Sequence, residues 1–137
     1  MSIDRALLKL QRVLEQSKKL PLKEMGEIAV KSINENFRVG GRYSLPGSVE
    51  GGNSRWVKRK DNKPHPILWK TGKLKKSVKF TAHVRVVVIR SNLVYSAFQN
   101  YGFAEKNVPA RPYMVIQKED RRKMGGLIKR DIRQVKV

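Results

Sequence analysis

The chain has 137 residues and a formal net charge of +20, because 31 Lys and Arg stand against only 11 Asp and Glu. This length fits one domain with a single modest core, and the lack of cysteine excludes disulfides, thiolate catalysis and cysteine-type zinc sites. No apolar run approaches the roughly 20 residues that span a bilayer, and the first residues lack the apolar stretch of a signal peptide. We therefore expect no membrane segment and no secretory signal.

The positive charge is concentrated in the middle and at the end of the chain. Residues 1–40 carry a balance of +3, residues 55–90 carry +11 with Asp61 as the one acid, and the residues from 91 onward carry +6. Such a field attracts polyanions over about 8–10 Å. The pattern fits an anionic partner such as nucleic acid, and it equally fits a solvated basic surface without a dedicated partner.

Two amphipathic helices are predicted in residues 1–39. Ser2 is a suitable cap for the first helix, and Pro21 suits the first turn of the second. Two antiparallel helices, or one helix kinked at Pro21, fit the pattern equally well. Both apolar stripes are expected to be core. The stripes are Ile3, Leu7, Leu10 and Leu14 in the first helix, and Leu22, Met25, Ala29, Ile33 and Phe37 in the second.

Residues 40–66 are predicted to form a long loop rich in glycine and proline, which Gly40 and Gly41 begin. Loops of this length in a small domain are usually functional or disordered. Trp56 lies within a basic run, so it is either a stacking surface for nucleic acid or an apolar plug for the core. The residues expected to face DNA are Arg55, Lys58, Arg59, Lys60 and Lys63 in the loop, with Lys79 and Arg85 beyond it.

Residues 77–90 alternate between apolar and polar side chains, which predicts strands with one buried and one solvated face. Fourteen residues exceed the usual strand length, so a hairpin with its break near Ala82 and His83 is preferred, although the break has no glycine. The predicted buried face is Val78, Phe80, Ala82, Val84, Val86 and Val88, and the predicted exposed face is Lys79, Thr81, His83 and Arg85.

Three further elements complete the predicted domain. A short helical turn runs from Ser91 to Gly102, residues 111–116 form an edge strand that begins near Pro112, and a basic helix covers residues 118–135. The apolar side of that helix is Met124, Leu127, Ile128 and Ile132. Since its central Gly125 and Gly126 cost about 1 kcal/mol each relative to alanine, this helix needs a partner surface.

The predicted fold is α+β, with an antiparallel β-sheet, two N-terminal helices and a C-terminal helix. We expect one domain over residues 1–137, divided into a helical part (1–39), the loop (40–66), the hairpin with short helix and strand (67–117) and the last helix (118–137).

Catalytic chemistry is not indicated anywhere in the sequence. His65 and His83 stand apart from each other and from acids, and both are expected at the surface. Glu119 and Asp120 fit the acidic first turn of a helix. No phosphate-binding loop, catalytic triad or metal-ligand spacing occurs. We therefore expect a protein that is not an enzyme and that carries no cofactor and no metal.

A series of short motifs begins within the basic loop. Trp56 comes first, then a Leu-x-x-Thr-Gly-x-Leu-x-x-Ser block, a hairpin, a Tyr-containing segment that ends at glycine, and a Pro-Ala-Arg-Pro-aromatic block. The residues concerned are Trp56, Leu68, Thr71, Gly72, Leu74, Ser77, Tyr95, Gln99, Gly102, Pro109, Ala110, Arg111, Pro112 and Tyr113. In this order the motifs resemble the phage virion morphogenesis family, the tail-completion or Mu G-like head–tail joining proteins of tailed phages. Ser96, Gln99 and Tyr113 depart from the usual Ala, His and Phe of that family.

The resemblance implies a structural protein of the virion neck or tail, assembled in the host bacterial cytoplasm. It further implies a ring-like homo-oligomer at the head–tail junction, with portal, connector and tail proteins as neighbours. The basic surface could there contact packaged DNA without reading its sequence. The alternative is a nucleic-acid-binding protein outside the virion that is not sequence-specific, which explains the charge but not the ordered motifs.

Individual motif positions also have physical interpretations. Gly72 allows a tight turn that leads into the hairpin, and Thr71 can bond the local backbone. Pro109 and Pro112 hold the backbone around Arg111. A guanidinium held in this way suits a carboxylate of a neighbouring subunit or of its own helix, or it forms an intramolecular staple between loop and helix.

Overall fold

The computed structural model describes residues 3–17, 20–41, 56–61, 67–68 and 70–134. The predicted cap Ser2, the basic residues Arg55 and Lys63, and His65 lie outside the described residues, as does most of the predicted loop.

The first two helices are separate, as one of the two alternatives required. Helix α1 covers Ile3–Ser17 and helix α2 covers Leu22–Val39, with Pro21 at the N-cap of α2. Helix α2 ends where Gly40 adopts a left-handed φ of 72° and donates its N–H to the Asn36 carbonyl. The predicted stripe of α2 packs inward, since Leu22, Ala29, Ile33 and Phe37 are buried.

The prediction that the stripe of α1 is core was wrong. Ile3 is 79% exposed, and Leu7, Leu10 and Leu14 are 53%, 55% and 55% exposed. Helix α1 contacts the C-terminal helix α5 (Lys118–Arg133). The buried face of α2 is meanwhile occupied by the hairpin and by the segment before α5, so it is not available to cover α1.

A short helix that the sequence did not predict, α3 (Lys73–Ser77), leads into the hairpin. Its N-cap is Gly72, whose φ of 70° is left-handed. Gly72 therefore turns the chain into this helix and not directly into the hairpin. The N–H of Lys73 lies 3.4 Å from Thr71 Oγ1, the local contact expected of Thr71. Leu74 is buried.

Strands β1 (Lys79–Ala82) and β2 (Val87–Arg90) form an antiparallel pair with Phe80 opposite Ile89. The chain reverses at Val84 and Arg85, two residues later than predicted, and His83 N–H donates to the Val86 carbonyl at 2.8 Å.

The predicted buried face of the hairpin is wrong from the end of β1 onward, since Ala82 is exposed and Thr81, which was predicted to be exposed, is half-buried. Even-numbered residues of β1 pair with odd-numbered residues of β2, so the inward parity changes between the strands. Val87 and Ile89 are half-buried, whereas Val84, Val86 and Val88 are exposed. The hairpin packs on α2, where Gly26 leaves room for the Phe80 ring.

The segment after β2 contains α4 (Ser96–Tyr101), a 3-10 turn (Ala104–Lys106) and helix α5. Gly102 ends α4 with a φ of 81°. A Cβ at Gly102 would lie 2.8 Å from the backbone nitrogen of Ala110, so this close approach requires glycine. On α5, Met124, Leu127 and Ile128 are half-buried, but Ile132 is exposed.

The predicted strand at residues 111–116 was wrong, since this segment is irregular. The described residues thus form an α+β fold of five α-helices and a two-stranded antiparallel sheet. Its core lies where α2, α3 and the 112–114 segment meet. The buried members are Ile33, Phe37, Trp56, Leu74, Val78 and Tyr113.

Candidate functional site

The irregular segment at residues 112–117 is held by side chains from other elements. Asn36, which is 1% exposed, donates from Nδ2 to the carbonyls of Tyr113 and Val115 at 2.9 and 2.8 Å. Asn100 Oδ1 accepts the backbone N–H groups of Tyr113 and Met114, each at 3.0 Å. Two buried amides therefore provide the hydrogen bonds that a neighbouring strand would otherwise provide.

Trp56 and Tyr113 are parts of the core beside this segment. The Trp56 indole donates from Nε1 to the Pro112 carbonyl at 2.9 Å, and its ring packs edge-on against Phe37 with centroids 5.6 Å apart. Trp56 is 5% exposed. It is therefore the plug of the core and not a stacking surface for bases, which decides between the two interpretations.

The Tyr113 hydroxyl donates to the Ser96 carbonyl at 3.1 Å, and the residue is fully buried. Burial raises the pKa of the Tyr113 phenol, since it disfavours the phenolate, and the side-chain hydroxyl of Ser96, as distinct from the Ser96 carbonyl, opposes this in part.

Arg111 joins the motif segment to the basic loop. Its Nε donates to the Val57 carbonyl at 3.1 Å, and its backbone N–H donates to the Gln99 carbonyl at 2.9 Å. Arg111 thus forms an intramolecular staple, but the acceptor of its side chain is a loop carbonyl and not a helix carboxylate. Partial burial lowers the pKa of Arg111, and the neighbouring charge of Arg59 lowers it further.

Beside this staple lies an open cleft of about 350 Å³. We call it the motif cleft. Apolar side chains and three cationic side chains line it, and Gln99 Oε1 is buried without a hydrogen-bond partner in the described part of the chain. Its lining residues are Arg59, Ile67, Leu68, Lys70, Thr71, Leu74, Tyr95, Gln99 and Arg111.

The backbone at one edge of the cleft is strained. Leu68 has a φ of 58°, in the left-handed region that branched and bulky residues seldom occupy. Such conformations persist only where the surrounding structure imposes them, and they cluster at ligand clamps and active sites. The strained residue here lines the motif cleft.

The predicted motif residues divide into two groups. Leu68, Thr71, Leu74, Tyr95, Gln99 and Arg111 come together in the motif cleft. The others have structural positions. Trp56 and Tyr113 lie in the core, and the exposed Pro112 accepts the Trp56 indole N–H at its carbonyl. Gly72 and Gly102 lie at helix ends, and Pro109 lies between Val108 and Ala110, which face Gly102. Ser77 Oγ lies 2.6 Å from Ser91 Oγ and donates to the Leu74 carbonyl, which joins α3 to the end of the hairpin.

Of the residues predicted to face DNA, Arg55 and Lys63 lie outside the described residues, and the other five lie in the loop and on the hairpin. Lys58 and Lys60 are exposed in the loop, while Arg59 forms an ion pair with Asp61 at 2.6 Å. Lys79 and Arg85 are exposed on the hairpin.

Lys79 pairs directly with Arg90 across the strands. Two cations in that position repel each other, and both are exposed, so the hairpin presents positive charge to solvent.

Sequence reasoning missed the two amides that hold the motif segment. Asn36 lies three residues after Ile33, on the apolar stripe of α2. A polar side chain at a core position needs a buried hydrogen-bond partner, so this position carried a signal that was not used. Ser32 was missed as well, and its Oγ accepts the Gln117 N–H at 3.3 Å. For Asn100, next to the exposed Tyr101, the sequence offered no comparable signal.

Among the described residues no group of His, Asp and Glu has the arrangement of a metal site. The helices formed by those residues are all too short or too polar to cross a membrane.

Comparison with known proteins gives one match. The model of the phage virion morphogenesis family matches residues 1–133 of the chain, which confirms the resemblance carried by the motifs. No curated protein and no solved structure matches at a significant level.

Proposed function

Because this chain belongs to the phage virion morphogenesis family, we propose that it completes the tail and joins it to the head, as a homo-oligomeric ring at the neck. The role is structural and not catalytic. The observation that carries the proposal is the family match over residues 1–133.

The motif cleft supports a role in protein contacts. Its apolar lining residues Ile67, Leu68 and Leu74 suit an apolar side chain, and its cations Lys70 and Arg111 suit a carboxylate. Arg59, the third cation, is already paired with Asp61. An acidic segment of a neighbouring virion protein therefore satisfies both features, beyond the carboxylate that the sequence alone suggested for Arg111.

The neighbours in this proposal are further copies of the chain, portal or connector proteins and tail proteins. The protein assembles in the bacterial cytoplasm and remains in the virion at the neck. Exposed cations of the hairpin, among them Lys79, Arg85 and Arg90, contact DNA that passes through the ring, by phosphate attraction without sequence readout.

The test is electron microscopy of particles from the source phage or prophage after deletion of the gene. Filled heads separate from tails, or tails of abnormal length, are expected. Normal infectious particles would remove the proposal.

Complementation with variants then examines the motif cleft. Lys70→Glu reverses the charge of an exposed cleft residue and is expected to reduce rescue by at least about tenfold, while the fold is retained. Lys129→Glu makes the same change on the exposed side of α5 and is expected to rescue fully. Equal rescue by both variants would exclude the cleft as a contact site.

Nucleic-acid binding outside the virion is the second candidate, and the net charge of +20 favours it. A titration of DNA affinity against salt separates the candidates. Tight binding at physiological salt with a steep loss at higher salt supports the second candidate. Weak binding that disappears at physiological salt supports the structural role.

A further inference from the structure

Helix α1 has the largest set of exposed aliphatic side chains among the described residues. Ile3, Leu7, Leu10 and Leu14 are each more than half exposed, and Leu8 is 52% exposed. Single exposed apolar residues are ordinary, but a continuous apolar stripe on a soluble chain marks a contact surface. The stripe of α1 is therefore uncovered in the isolated chain.

The spacing of this stripe is that of a helix–helix seam. The steps from Ile3 to Leu7, Leu10 and Leu14 are four, three and four residues, the alternation of a coiled-coil core. A helix with such a seam packs against another helix or against a similar apolar groove. Within its own chain α1 contacts α5, and that contact leaves the seam exposed.

The charge distribution indicates what covers the seam. Two copies of a chain with a net charge of +20 repel each other over most of their surface. Helix α1 carries Arg5, Lys9 and Arg12 against Asp4 and Glu15, a balance of only +1. A second copy can therefore approach this exposed apolar face at little electrostatic cost.

We propose that α1 is the self-association surface of this protein and that its seam packs against a second copy of the chain. The inference rests on the proposed homo-oligomer and names the face that forms it. A helix of 15 residues is about 22 Å long and offers only about 250 Å² in projection. A standard interface buries about 800 Å² per partner, so α1 alone gives a weak contact. Association is therefore concentration-dependent and strengthens when several copies close a ring.

The test measures molar mass by light scattering from about 10 µM to about 1 mM. Wild type is expected to rise above the 15.8 kDa of one chain, and the double variant with Leu7→Glu and Leu10→Glu is expected to stay at it. Val94→Glu is the matched control, because Val94 is 88% exposed but lies outside α1. This control is expected to associate like wild type. All proteins are first compared by circular dichroism and thermal midpoint.

A milder substitution covers the case in which two glutamates unfold α1. The chain has no cysteine, so Leu10→Cys introduces a unique thiol. Its reaction with a soluble disulfide reagent is expected to slow about tenfold between dilute and concentrated protein, whereas that of Val94→Cys stays constant. An unchanged Leu10→Cys rate, a double variant that still associates, or a wild type that stays at one chain mass would each overturn the proposal.

These outcomes are separable from those of the proposed function. Loss of association in the double variant, together with normal particles after gene deletion, leaves α1 as the interface and removes the neck role. If deletion of the gene separates heads from tails and the double variant rescues fully, the neck role is kept and α1 is removed as the interface.

Discussion

Asn36→Asp provides a sharp test of how the motif segment is held. The exchange keeps the size of the side chain but replaces the Nδ2 donor by a carboxylate oxygen. That oxygen would face the carbonyls of Tyr113 and Val115, which now accept hydrogen bonds at 2.9 and 2.8 Å. Each orphaned buried carbonyl costs about 1–3 kcal/mol, so the free energy of unfolding should fall by about 2–6 kcal/mol at neutral pH.

Asn100→Asp is the matched control, because Asn100 holds the segment with its side-chain oxygen, which the exchange keeps. Asn100 Oδ1 accepts the N–H groups of Tyr113 and Met114, and a carboxylate oxygen accepts both of them. Hydrogen bonds to a charged acceptor are stronger, which offsets part of the cost of burying the charge. The expected loss is at most about 1–2 kcal/mol.

The pH dependence of the Asn36→Asp variant has a defined sign. Burial and the two facing carbonyls raise the pKa of the introduced carboxyl above its unfolded value of about 3.9. The protonated form is then favoured in the folded state, so its stability is retained below about pH 4. Stability is lost as the pH rises through the folded pKa, by at most about 1.4 kcal/mol per pH unit.

The assay is urea unfolding of wild type and both variants, followed by circular dichroism at pH 7 and near pH 4. The difference in the free energy of unfolding between Asn36→Asp and wild type should become smaller at the lower pH. If Asn36→Asp and Asn100→Asp were equally stable at pH 7, the donor and acceptor roles assigned to the two amides would be refuted.

Three further predictions concern single positions. Gly26→Ala should lower the free energy of unfolding by about 1–3 kcal/mol despite the higher helix propensity of alanine, because its Cβ would overlap the Phe80 ring; a variant as stable as wild type in thermal unfolding would contradict this packing. Gly125→Ala should raise stability by about 0.5–1 kcal/mol, since nothing lies within 4 Å of its added Cβ, and an unchanged midpoint would contradict the expected helix gain. Because the pKa of Tyr113 is raised, stability should fall as the pH rises above the unfolded tyrosine value of about 10; Tyr113→Phe should show less of this alkaline loss in urea unfolding, and an identical loss would place its origin elsewhere.

Several elements could be predicted from local sequence. The stripe from Leu22 to Phe37 gave α2 and its buried face, and Gly40 marked its end, because helix period and left-handed glycine are local properties. Gly102 ended α4 for the same reason. The chain reversal near residue 83 was also expected, although its position was two residues too early.

The inward face of β2 could not be predicted from alternation alone. The pattern of apolar residues continues without interruption from Val78 to Val88, but the two-residue turn pairs Phe80 with Ile89. Because even-numbered residues of β1 pair with odd-numbered residues of β2, the inward-facing residues of β2 are the odd-numbered ones. Register is a property of two strands together, so one strand pattern does not contain it.

The candidate site was identified in part. The motif order named six residues of the motif cleft, including Leu68, Tyr95 and Arg111, but it did not separate them from residues that build the core. Trp56 shows why: an indole among cations suits base stacking, and only its burial and its bond to the Pro112 carbonyl exclude that role.

The sequence by itself determined the charge, the two N-terminal helices and the C-terminal helix, the lack of cysteine chemistry and the family, because each depends on residue identity and short-range spacing. Only the tertiary structure decided which apolar stripe is covered. The stripes of α1 and α2 have the same helical period, yet Ile33 is 1% exposed and Leu10 is 55% exposed. Periodicity indicates which side of a helix is apolar, but the burial of that side depends on whether another surface packs against it.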